Sequence, residues 1–477
     1  MELTALCRAG RTPALPLDVR LPDGDLRIVS WLRVLPGRRY VGRAVWQGRQ
    51  VLAKLLVGGK AGRQYRREHD GARLLAERGL ATPALLAAEF RRGEGGWLLF
   101  DYLAEAASLG DRWAALAGDV PLSEGQARVL GAALEAIGGM HARGLWQQDL
   151  HLDNLLCQND RLFWVDGGSI RAGAEGRPLA GGQAAANLGV FFAQLPAAFD
   201  PFIGQLLDHY RRGNPTTCPE PEPLQRAVVS ARRWRLDDFL GKLGRDCTLF
   251  SVRRGPFALR VVRRDESAGL EPLLADPDRF IAAGTILKAG GSATVARVDL
   301  DGRALVVKRY NIKGVGHWLR RCWRPTRAWH SWREGNRLAF LGIPTARPLA
   351  MLELRTAWLR RRAYLVLECL DGANVLERFG PHVDGAPPED ELAGIEGLFA
   401  ALRRERISHG DMKGTNLIRH GSRWALIDLD AVRQHGTERT FARAFAADRA
   451  RFLDNWPVGS ALRRLLDERL PRVSRAF

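Results

Sequence analysis

The feature that most constrains the fold is a pair of similar segments in the two halves of the chain. Residues 144–170 read GLWQQDLHLDNLLCQNDRLFWVDGGSI, and residues 406–432 read RISHGDMKGTNLIRHGSRWALIDLDAV. Each contains an Asp, an Asn five residues later and a second Asp twelve residues further on: Asp149, Asn154 and Asp166, and Asp411, Asn416 and Asp428. After each Asn, two apolar runs flank a polar turn, which predicts a β-hairpin that ends in a carboxylate. Self-similarity of this kind predicts two copies of one structural unit.

The same order of predicted elements precedes each segment. A strand carries a Lys, the helix after it carries a Glu, and an apolar strand follows. These side chains are Lys54 and Glu68 in the first half, and Lys308 and Glu334 in the second. For Lys54, Asp70 and Glu77 are alternative partners on the same helix. The two halves therefore share one order of predicted strands and helices.

This set of side chains meets the chemical needs of phosphoryl transfer. A strand Lys can hold the α- and β-phosphates of a nucleotide, and the helix Glu can orient that Lys. The first Asp can accept the proton of an attacking hydroxyl, while the Asn and the second Asp offer the hard oxygen ligands that Mg²⁺ prefers. Because the transfer depends mainly on positioning and charge neutralisation, the pattern predicts a phosphotransferase.

The C-terminal copy resembles the catalytic loop of protein kinases. In HGDMKGTNL, Asp411 matches the base, Lys413 the phosphate-stabilising Lys and Asn416 a metal ligand. In IDLD, Asp428 matches the metal-binding Asp. Residues 289–298, AGGSATVARV, resemble a shortened Gly-rich loop ahead of the strand Lys. In that loop the turn formed by Gly290, Gly291 and Ser292 would bring backbone N–H groups to phosphate.

The resemblance implies an α+β fold with two tandem protein-kinase-like bilobal domains, each with a β-rich N-lobe and a helical C-lobe. The length of the chain agrees with two domains, because 477 residues are too many for one ordinary domain. Pro-rich residues 214–224 predict a loop, and residues 270–280 contain another break. We place the boundary near residue 245, with an N-terminal domain over 1–245 and a C-terminal domain over 246–477.

The N-terminal copy departs further from the kinase pattern. Gln147 stands where the catalytic-loop His usually lies, His151 occupies the position that corresponds to Lys413, and residues 166–168 read DGG. The functional set is nevertheless complete: Lys54, Glu68, Asp149, Asn154 and Asp166. We expect a retained site with Asp149 as base and Asn154 and Asp166 as metal ligands. A pseudokinase that regulates the C-terminal half is the alternative.

Further features indicate which kind of kinase the C-terminal half resembles. Only 49 residues follow Asp428, and they contain no alanine-proline-glutamate anchor, which is typical of small-molecule and sugar kinases. Residues 317–353, with HGDMKGTNLI and IDLDAVR, resemble the bacterial lipopolysaccharide core kinase family. The resemblance covers about residues 280–450 well and about residues 40–200 loosely.

Membership of that family implies phosphorylation, with ATP and Mg²⁺, of inner-core heptose or 3-deoxy-manno-octulosonic acid on the lipid A–core. It also implies a cytoplasmic protein that works at the inner membrane. An aminoglycoside-type phosphotransferase is an alternative, because those enzymes also use the HGD…N loop.

Charge narrows the choice of partner. The chain has 72 Lys and Arg against 53 Asp and Glu, a net charge of +19, which favours a polyanion. No nucleic-acid reader motif is present, so we expect no nucleic-acid partner. One stretch interleaves arginines with tryptophans: Arg320, Arg321, Arg324, Arg327 and Arg333, and Trp318, Trp323, Trp329 and Trp332. It suits an anionic lipid or a phosphorylated sugar, and equally an ordinary helix with its Trp residues in the core.

The remaining features indicate a soluble, cytoplasmic chain with peripheral contact to an anionic membrane. The N-terminus lacks the charged and apolar regions of a secretory signal. The most apolar stretch, residues 188–207, contains Pro196 and Asp200, which predicts a buried helix and turn. The six cysteines form neither CxxC pairs nor clusters with His, which predicts free thiols.

Overall fold

A computed structural model describes residues 2–174, 176–312, 314, 316, 318 and 322–473. The chain is of mixed α/β type and divides into two compact units, Met1–Trp234 and Arg235–Phe477. The division falls inside a helix, Pro221–Lys242, and not at the expected position near residue 245. The reason is apolar packing, since Leu236 and Leu240 of that helix belong to the same core cluster as Phe250.

The N-terminal unit begins with a six-stranded antiparallel sheet. Its order is β1-β2-β3-β4-β6-β5. The strands are β1 (Leu17–Leu21), β2 (Gly24–Leu35), β3 (Arg39–Trp46), β4 (Arg49–Leu56), β5 (Leu85–Arg91) and β6 (Gly95–Asp101), and the helix α1 (Ala61–Glu77) follows β4. Lys54 lies opposite Val41 of β3 and Leu98 of β6, so it stands on an interior strand.

The remainder of this unit is mainly helical. Its elements are β7 (Ala107–Ser108), α2 (Leu109–Ala114), α3 (Glu124–Ala142), β8 (Leu145–Gln147), β9 (Leu155–Gln158), β10 (Arg161–Trp164), β11 (Ile170–Ala172), α4 (Gly181–Phe192), α5 (Ile203–Gly213) and α6 (Pro221–Lys242). Strands β9 and β10 form the hairpin that the repeat predicts. Residues 188–207 contribute Phe191 and Phe192 to a buried core, as expected of a buried helix and turn.

The C-terminal unit begins with a seven-stranded sheet in the order β12-β13-β17-β18-β16-β15-β14. Its elements are β12 (Phe250–Arg254), β13 (Ala258–Arg263), α7 (Glu271–Ala275), α8 (Pro277–Ala283), β14 (Thr285–Ala289), β15 (Ala293–Leu300), β16 (Arg303–Tyr310), α9 (Arg327–Phe340), β17 (Pro348–Thr356) and β18 (Leu359–Glu368). Thr326 caps α9 by accepting a hydrogen bond from the backbone N–H of Trp329. Lys308 lies on the interior strand β16, opposite Val295 and Leu365.

A second core of helices and short strands completes the C-terminal unit. The elements are α10 (Val375–Phe379), α11 (Glu389–Arg404), β19 (Ile407–Ser408), β20 (Leu417–His420), β21 (Arg423–Leu426), β22 (Arg433–Gln434), α12 (Glu438–Leu453) and α13 (Ala461–Arg469). Strands β20 and β21 form the second predicted hairpin. Apolar side chains of α11 and α12, including Phe399 and Phe445, pack in this core.

Two sequence expectations about the chain as a whole can be compared with the described residues. No helix among them combines the length and the apolar content that crossing a membrane requires. None of the six cysteines forms a disulfide within that part of the chain.

The close packing of α1 against the turn after Asp166 provides a stability test. A Cβ atom on Gly71 would lie 1.8 Å from the carbonyl oxygen of Gly167, so a side chain there forces the backbone apart. We expect Gly71→Ala to lower the free energy of unfolding by about 1–3 kcal/mol, measured by chemical denaturation. Gly204→Ala on α5 is the matched control, since open space surrounds Gly204. Equal stability of the two variants would contradict this packing.

Candidate active site

In the C-terminal unit, the loop between β19 and β20 places the repeated Asp and Asn side by side. The Asn416 side-chain amide donates to the backbone carbonyl of Asp411 at 2.9 Å. His409 Nε2 donates to the carbonyl of Ile427 at 3.0 Å, which connects this loop to the strand before Asp428. Burial lowers the pKa of His409, so its imidazole is neutral and its Nδ1 accepts the backbone N–H of Asp411.

Asp448 on α12 fixes the same loop from the other side. Its carboxylate accepts the backbone N–H groups of His409 at 2.6 Å and Gly410 at 2.8 Å. Sequence reasoning did not identify Asp448, because it lies outside the repeated segment and its contacts are with backbone groups. The loop that carries Asp411 is therefore held by hydrogen bonds to two different elements.

The carboxylate of Asp411 has two basic neighbours. Lys413 Nζ lies 3.1 Å from its Oδ2, and Arg451 Nε lies 2.8 Å from its Oδ1. Burial opposes the charged form, but the hydrogen bonds from Lys413 and Arg451 outweigh it and lower the pKa of Asp411. At neutral pH Asp411 is therefore a carboxylate, the form that can accept a proton.

Lys308 of the sheet reaches the second hairpin. Its Nζ lies 2.5 Å from Oδ1 of Asp428, which is 120 residues away along the chain. Asp428 has a left-handed backbone, with φ of 59°, that turns its side chain out of the strand direction. Lys288 of β14 lies 3.9 Å from the other carboxylate oxygen of Asp428. The predicted phosphate-binding Lys and the predicted metal-binding Asp are thus in direct contact.

The expected pair between Lys308 and Glu334 is not the one that forms. Glu334 pairs with Arg337 one turn later on α9, at 2.8 Å. The second carboxylate at Lys308 is Asp430, whose Oδ2 lies 3.0 Å from Nζ. The structure therefore does not pair Lys308 with Glu334 as the sequence predicts, because a nearer acid, Asp430, takes that place.

Asp430 is the most heavily engaged acid of the site. It accepts hydrogen bonds from Tyr310 Oη at 2.7 Å and Ser331 Oγ at 2.6 Å, and it pairs with Lys308 and Arg327. Burial opposes its charged form, but these partners outweigh burial and lower the pKa of Asp430. Sequence reasoning missed Asp430, although it is the second acid of the IDLD motif.

The turn formed by Gly290, Gly291 and Ser292 joins β14 to β15. Asn311 steadies it by donating its backbone N–H to Ser292 O and its side-chain amide to Gly290 O, both at 3.1 Å. The backbone N–H of Gly290 is used within the turn, where it donates to Ala293 O. The remaining N–H groups of the turn are those that a phosphate would meet.

In the N-terminal unit the expected Lys–Glu pair is present. Lys54 Nζ lies 2.6 Å from Glu68 Oε2 and 3.7 Å from Asp166 Oδ1. Arg39 of β3 also contacts Glu68, at 3.2 Å. Of the two alternative partners, Glu77 pairs with Arg73 and Asp70 contacts His69. Glu68 is thus the acid that orients Lys54.

The residue two positions after the second Asp explains why the units differ. That residue is Gly168 after Asp166, and Asp430 after Asp428. A Cβ atom on Gly168 would lie 2.9 Å from Glu68 Oε1, so Glu68 fills the space that a side chain would take. In the C-terminal unit that side chain is Asp430, which holds the Lys itself.

The loop of the N-terminal unit repeats the backbone arrangement with weaker support for its Asp. Asn154 donates to the carbonyl of Asp149 at 2.7 Å, as Asn416 does to that of Asp411. Gln147 donates to the carbonyl of Val165 at 2.9 Å, and in the C-terminal unit His409 makes the equivalent hydrogen bond to Ile427. His151 Nε2 lies 3.9 Å from Asp149. The side chain of Asp149 is 75% exposed, against 31% for Asp411. The first Asp is therefore more open to water in this unit.

The donor chemistry at both hairpins suits a divalent cation shared with a nucleotide. Asn416 and Asp428, and likewise Asn154 and Asp166, offer amide and carboxylate oxygens. Among the described residues no three His, Cys, Asp or Glu side chains form a metal cage. Mg²⁺ commonly binds one or two protein oxygens and completes its octahedron with phosphates and water. The residues present fit that mode of binding.

The stretch of Arg and Trp residues divides into core and surface. Trp332 is buried, and Trp329 packs against the same core cluster. Trp323 is 74% exposed, while Trp318 donates to Arg360 O at 2.8 Å. Arg320 and Arg321 lie outside the described residues. The core interpretation therefore holds for two of the four Trp residues.

The contacts of Asp430 predict a pH-dependent effect on stability. Its folded pKa lies below the unfolded value of about 3.9, so its stabilising effect is full above roughly pH 5 and disappears as pH falls through the folded pKa. We expect Asp430→Asn to lower the free energy of unfolding by about 3 kcal/mol at pH 7, because Lys308 and Arg327 lose a buried partner. In denaturation series, the difference from wild type should shrink toward pH 3. The exposed Asp384→Asn serves as control, and a pH-independent difference would contradict the role of the charge.

The chain is similar to one known protein family and to solved kinase structures. Residues 287–448 match the family model described as Lipopolysaccharide kinase (Kdo/WaaP) family. The solved structure of WaaP in complex with acyl carrier protein is 18% identical, with a TM-score of 0.32, and the match covers 44% of this chain and 86% of that one. The crystal structure of a mutant of the Mycobacterium tuberculosis PknI kinase domain is 16% identical, with a TM-score of 0.31. That match covers 46% of this chain and 99% of the PknI chain. No curated protein matches the chain.

The matched segment contains the C-terminal site residues described above from Lys288 to Asp448, and Arg451, which contacts Asp411, lies just beyond its end. It begins within β14, before the Gly-rich turn, and ends within α12. The resemblance on which the sequence analysis relied is confirmed for this segment. The protein is therefore a phosphotransferase whose residues 287–448 match the model of the lipopolysaccharide kinase (Kdo/WaaP) family.

Proposed function

We propose that the C-terminal unit transfers the γ-phosphoryl group of ATP to a sugar hydroxyl of the lipopolysaccharide inner core, on heptose or 3-deoxy-manno-octulosonic acid. The observation that carries the proposal is the convergence of Lys308, Asp411, Asn416 and Asp428 within the family-matched segment. The unit thereby combines a phosphate-binding cation, a base and oxygen ligands, which phosphoryl transfer requires.

Each side chain has one role in this reaction. Asp411 accepts the proton of the sugar hydroxyl, whose oxygen forms a bond to the γ-phosphorus as the bond to the β-phosphate oxygen breaks and ADP leaves. Lys413, beside Asp411, offers positive charge where the transferred group gains negative charge. Lys308 and the Gly290–Ser292 turn hold the phosphates. Asn416 and Asp428 would hold Mg²⁺, which supplies charge neutralisation when bound.

For the N-terminal unit, Met1–Trp234, we propose a second kinase-like domain, so that the chain carries two in tandem. The pair of Lys54 and Glu68 beside Asp166 favours nucleotide binding there. Asp149 is exposed and has His151, at 3.9 Å, in place of a Lys. Both features favour the alternative of a pseudokinase that regulates the C-terminal unit.

The setting of the reaction follows from the same proposal. The acceptor would be the lipid A–core oligosaccharide, reached at the cytoplasmic face of the inner membrane through peripheral contact. The net charge of +19 supports attraction to ATP, phosphorylated sugar and anionic lipid. Nucleic acid is not a proposed partner.

Isosteric variants of the two Asp residues test the roles of the units. We expect Asp411→Asn to lower transfer from labelled ATP by about 10²–10⁴-fold, because the proton acceptor is lost. Asp149→Asn should remove the activity of the N-terminal site alone, and an unchanged rate would favour the pseudokinase. The exposed Asp384→Asn is the matched control. Full activity of Asp411→Asn would contradict the proposal.

A comparison of acceptors tests the substrate class with the full-length protein. Core oligosaccharides that end in heptose or 3-deoxy-manno-octulosonic acid, an aminoglycoside and a peptide would each be incubated with labelled ATP and Mg²⁺. We expect phosphate on the core sugar, mapped by mass spectrometry or NMR. Activity on the aminoglycoside alone would favour the antibiotic phosphotransferase alternative, and activity on the peptide alone would overturn the sugar-kinase proposal.

A further inference from the structure

A cavity of about 300 Å³ adjoins the Gly-rich turn of the C-terminal unit. Its wall includes Ser292 of that turn, Asn311 after β16, and the start of α9. Four arginines also line the cavity, which we call the Arg pocket: Arg324, Arg327, Arg360 and Arg361. None of the Asp, Asn and Lys side chains assigned to catalysis above lines this cavity.

The charge of this Arg pocket is unbalanced. No Asp or Glu is among its described lining residues. Arg327 pairs with Asp430, and Arg360 lies 3.4 Å from Glu353. Arg324 and Arg361 are exposed and form no ion pair with the described residues, and Arg361 only donates to Thr356 Oγ1 at 3.3 Å. Two guanidinium groups thus have their charge available to a ligand.

The backbone at the start of α9 adds to the positive potential of the Arg pocket. Pro325, Thr326 and Arg327 line the pocket at the N-terminus of α9, a helix of 14 residues. The first N–H groups of a helix and its dipole favour an anion. Arginine is also the residue best suited to bind phosphate, because its planar fork donates two parallel hydrogen bonds. The pocket therefore has the chemistry of a phosphate site.

Its position connects it to the proposed reaction. Asn311 donates its backbone N–H to Ser292 O at 3.1 Å, which joins the pocket wall to the Gly-rich turn. Arg327 reaches from the pocket to Asp430, and Asp430 contacts Lys308. A ligand in the pocket would therefore lie beside the turn proposed to hold ATP, in a space large enough for a sugar phosphate.

We propose that the Arg pocket binds a phosphate monoester carried by the acceptor sugar. This assignment rests on the proposed function of the C-terminal unit, and it names the feature of the acceptor that the unit recognises. The pocket binds the existing phosphate, and the hydroxyl to be phosphorylated reaches Asp411.

A phosphate can also come from a lipid headgroup, and the rim of the pocket indicates how to separate the two sources. Trp323 is 74% exposed, and Trp358, in the turn between β17 and β18 that precedes Arg360 and Arg361, is 58% exposed. Arg360 donates to the carbonyl of Trp323 at 2.7 Å, so this Trp lies at the rim. Exposed tryptophans beside arginines are suited to a membrane surface. Loss of the two Trp side chains should weaken lipid binding and leave a soluble sugar phosphate unaffected.

Binding of inorganic phosphate to the full-length protein tests the pocket directly. Calorimetry would be carried out with saturating non-hydrolysable ATP analogue and Mg²⁺, so that the nucleotide site is filled. We expect the double variant Arg324→Gln/Arg361→Gln to weaken phosphate binding at least about tenfold, since charge-assisted hydrogen bonds are lost. The exposed Arg443→Gln on α12 is the matched control. Equal affinities of the double variant and wild type would overturn the proposal.

Kinetics and vesicles identify the source of the phosphate. With phosphorylated core oligosaccharide, the double variant should raise KM for the acceptor about tenfold and leave KM for ATP unchanged. If no transfer occurs but phosphate binding still depends on the two arginines, the function fails while the pocket stands. If the pocket arginines and Trp323→Ala/Trp358→Ala control binding to phosphatidylglycerol vesicles, with no sugar phosphate bound, the assignment to the acceptor is overturned.

Discussion

The ion pair between Lys308 and Asp428 joins parts of the C-terminal unit that are 120 residues apart along the chain. Lys308 needs the interior position of β16, and Asp428 needs the left-handed turn after β21. Asp411 and Asn416 share a loop that is tied to the same hairpin through His409. The contact therefore brings together the side chains that we propose to bind phosphate, accept a proton and hold a metal ion.

The two units arrange similar parts around different acids. Where Gly168 leaves space, Glu68 enters and holds Lys54. Where the corresponding residue is Asp430, the acid contacts Lys308 itself and Glu334 turns to Arg337. One side chain thus determines whether the helix takes part in orienting the Lys. Through Arg327, Asp430 also connects the proposed site of phosphoryl transfer to the Arg pocket.

Sequence reasoning succeeds here where the signal is local. The spacing of Asp, Asn and Asp predicts both hairpins, because strand alternation and turn residues are read over a dozen positions. For the same reason it places Lys54 and Lys308 on strands, and the folded sheets make both of these strands interior. It does not predict the partners of Lys308, since Glu334 and Asp430 are both acids within reach of a Lys and only packing selects between them.

The domain boundary and the burial of the tryptophans are further features that packing decides and local sequence does not. Leu236 and Leu240 pack in the same core as Phe250, so the C-terminal unit begins before residue 245. The residue composition around position 245 does not indicate this packing. The sequence alone establishes the repeat, the strand lysines and the resemblance to a kinase family, because these depend on spacing and residue type. The folded chain selects which acid holds each Lys, which Trp is buried and where four arginines enclose a cavity, because each depends on contacts between residues far apart in sequence.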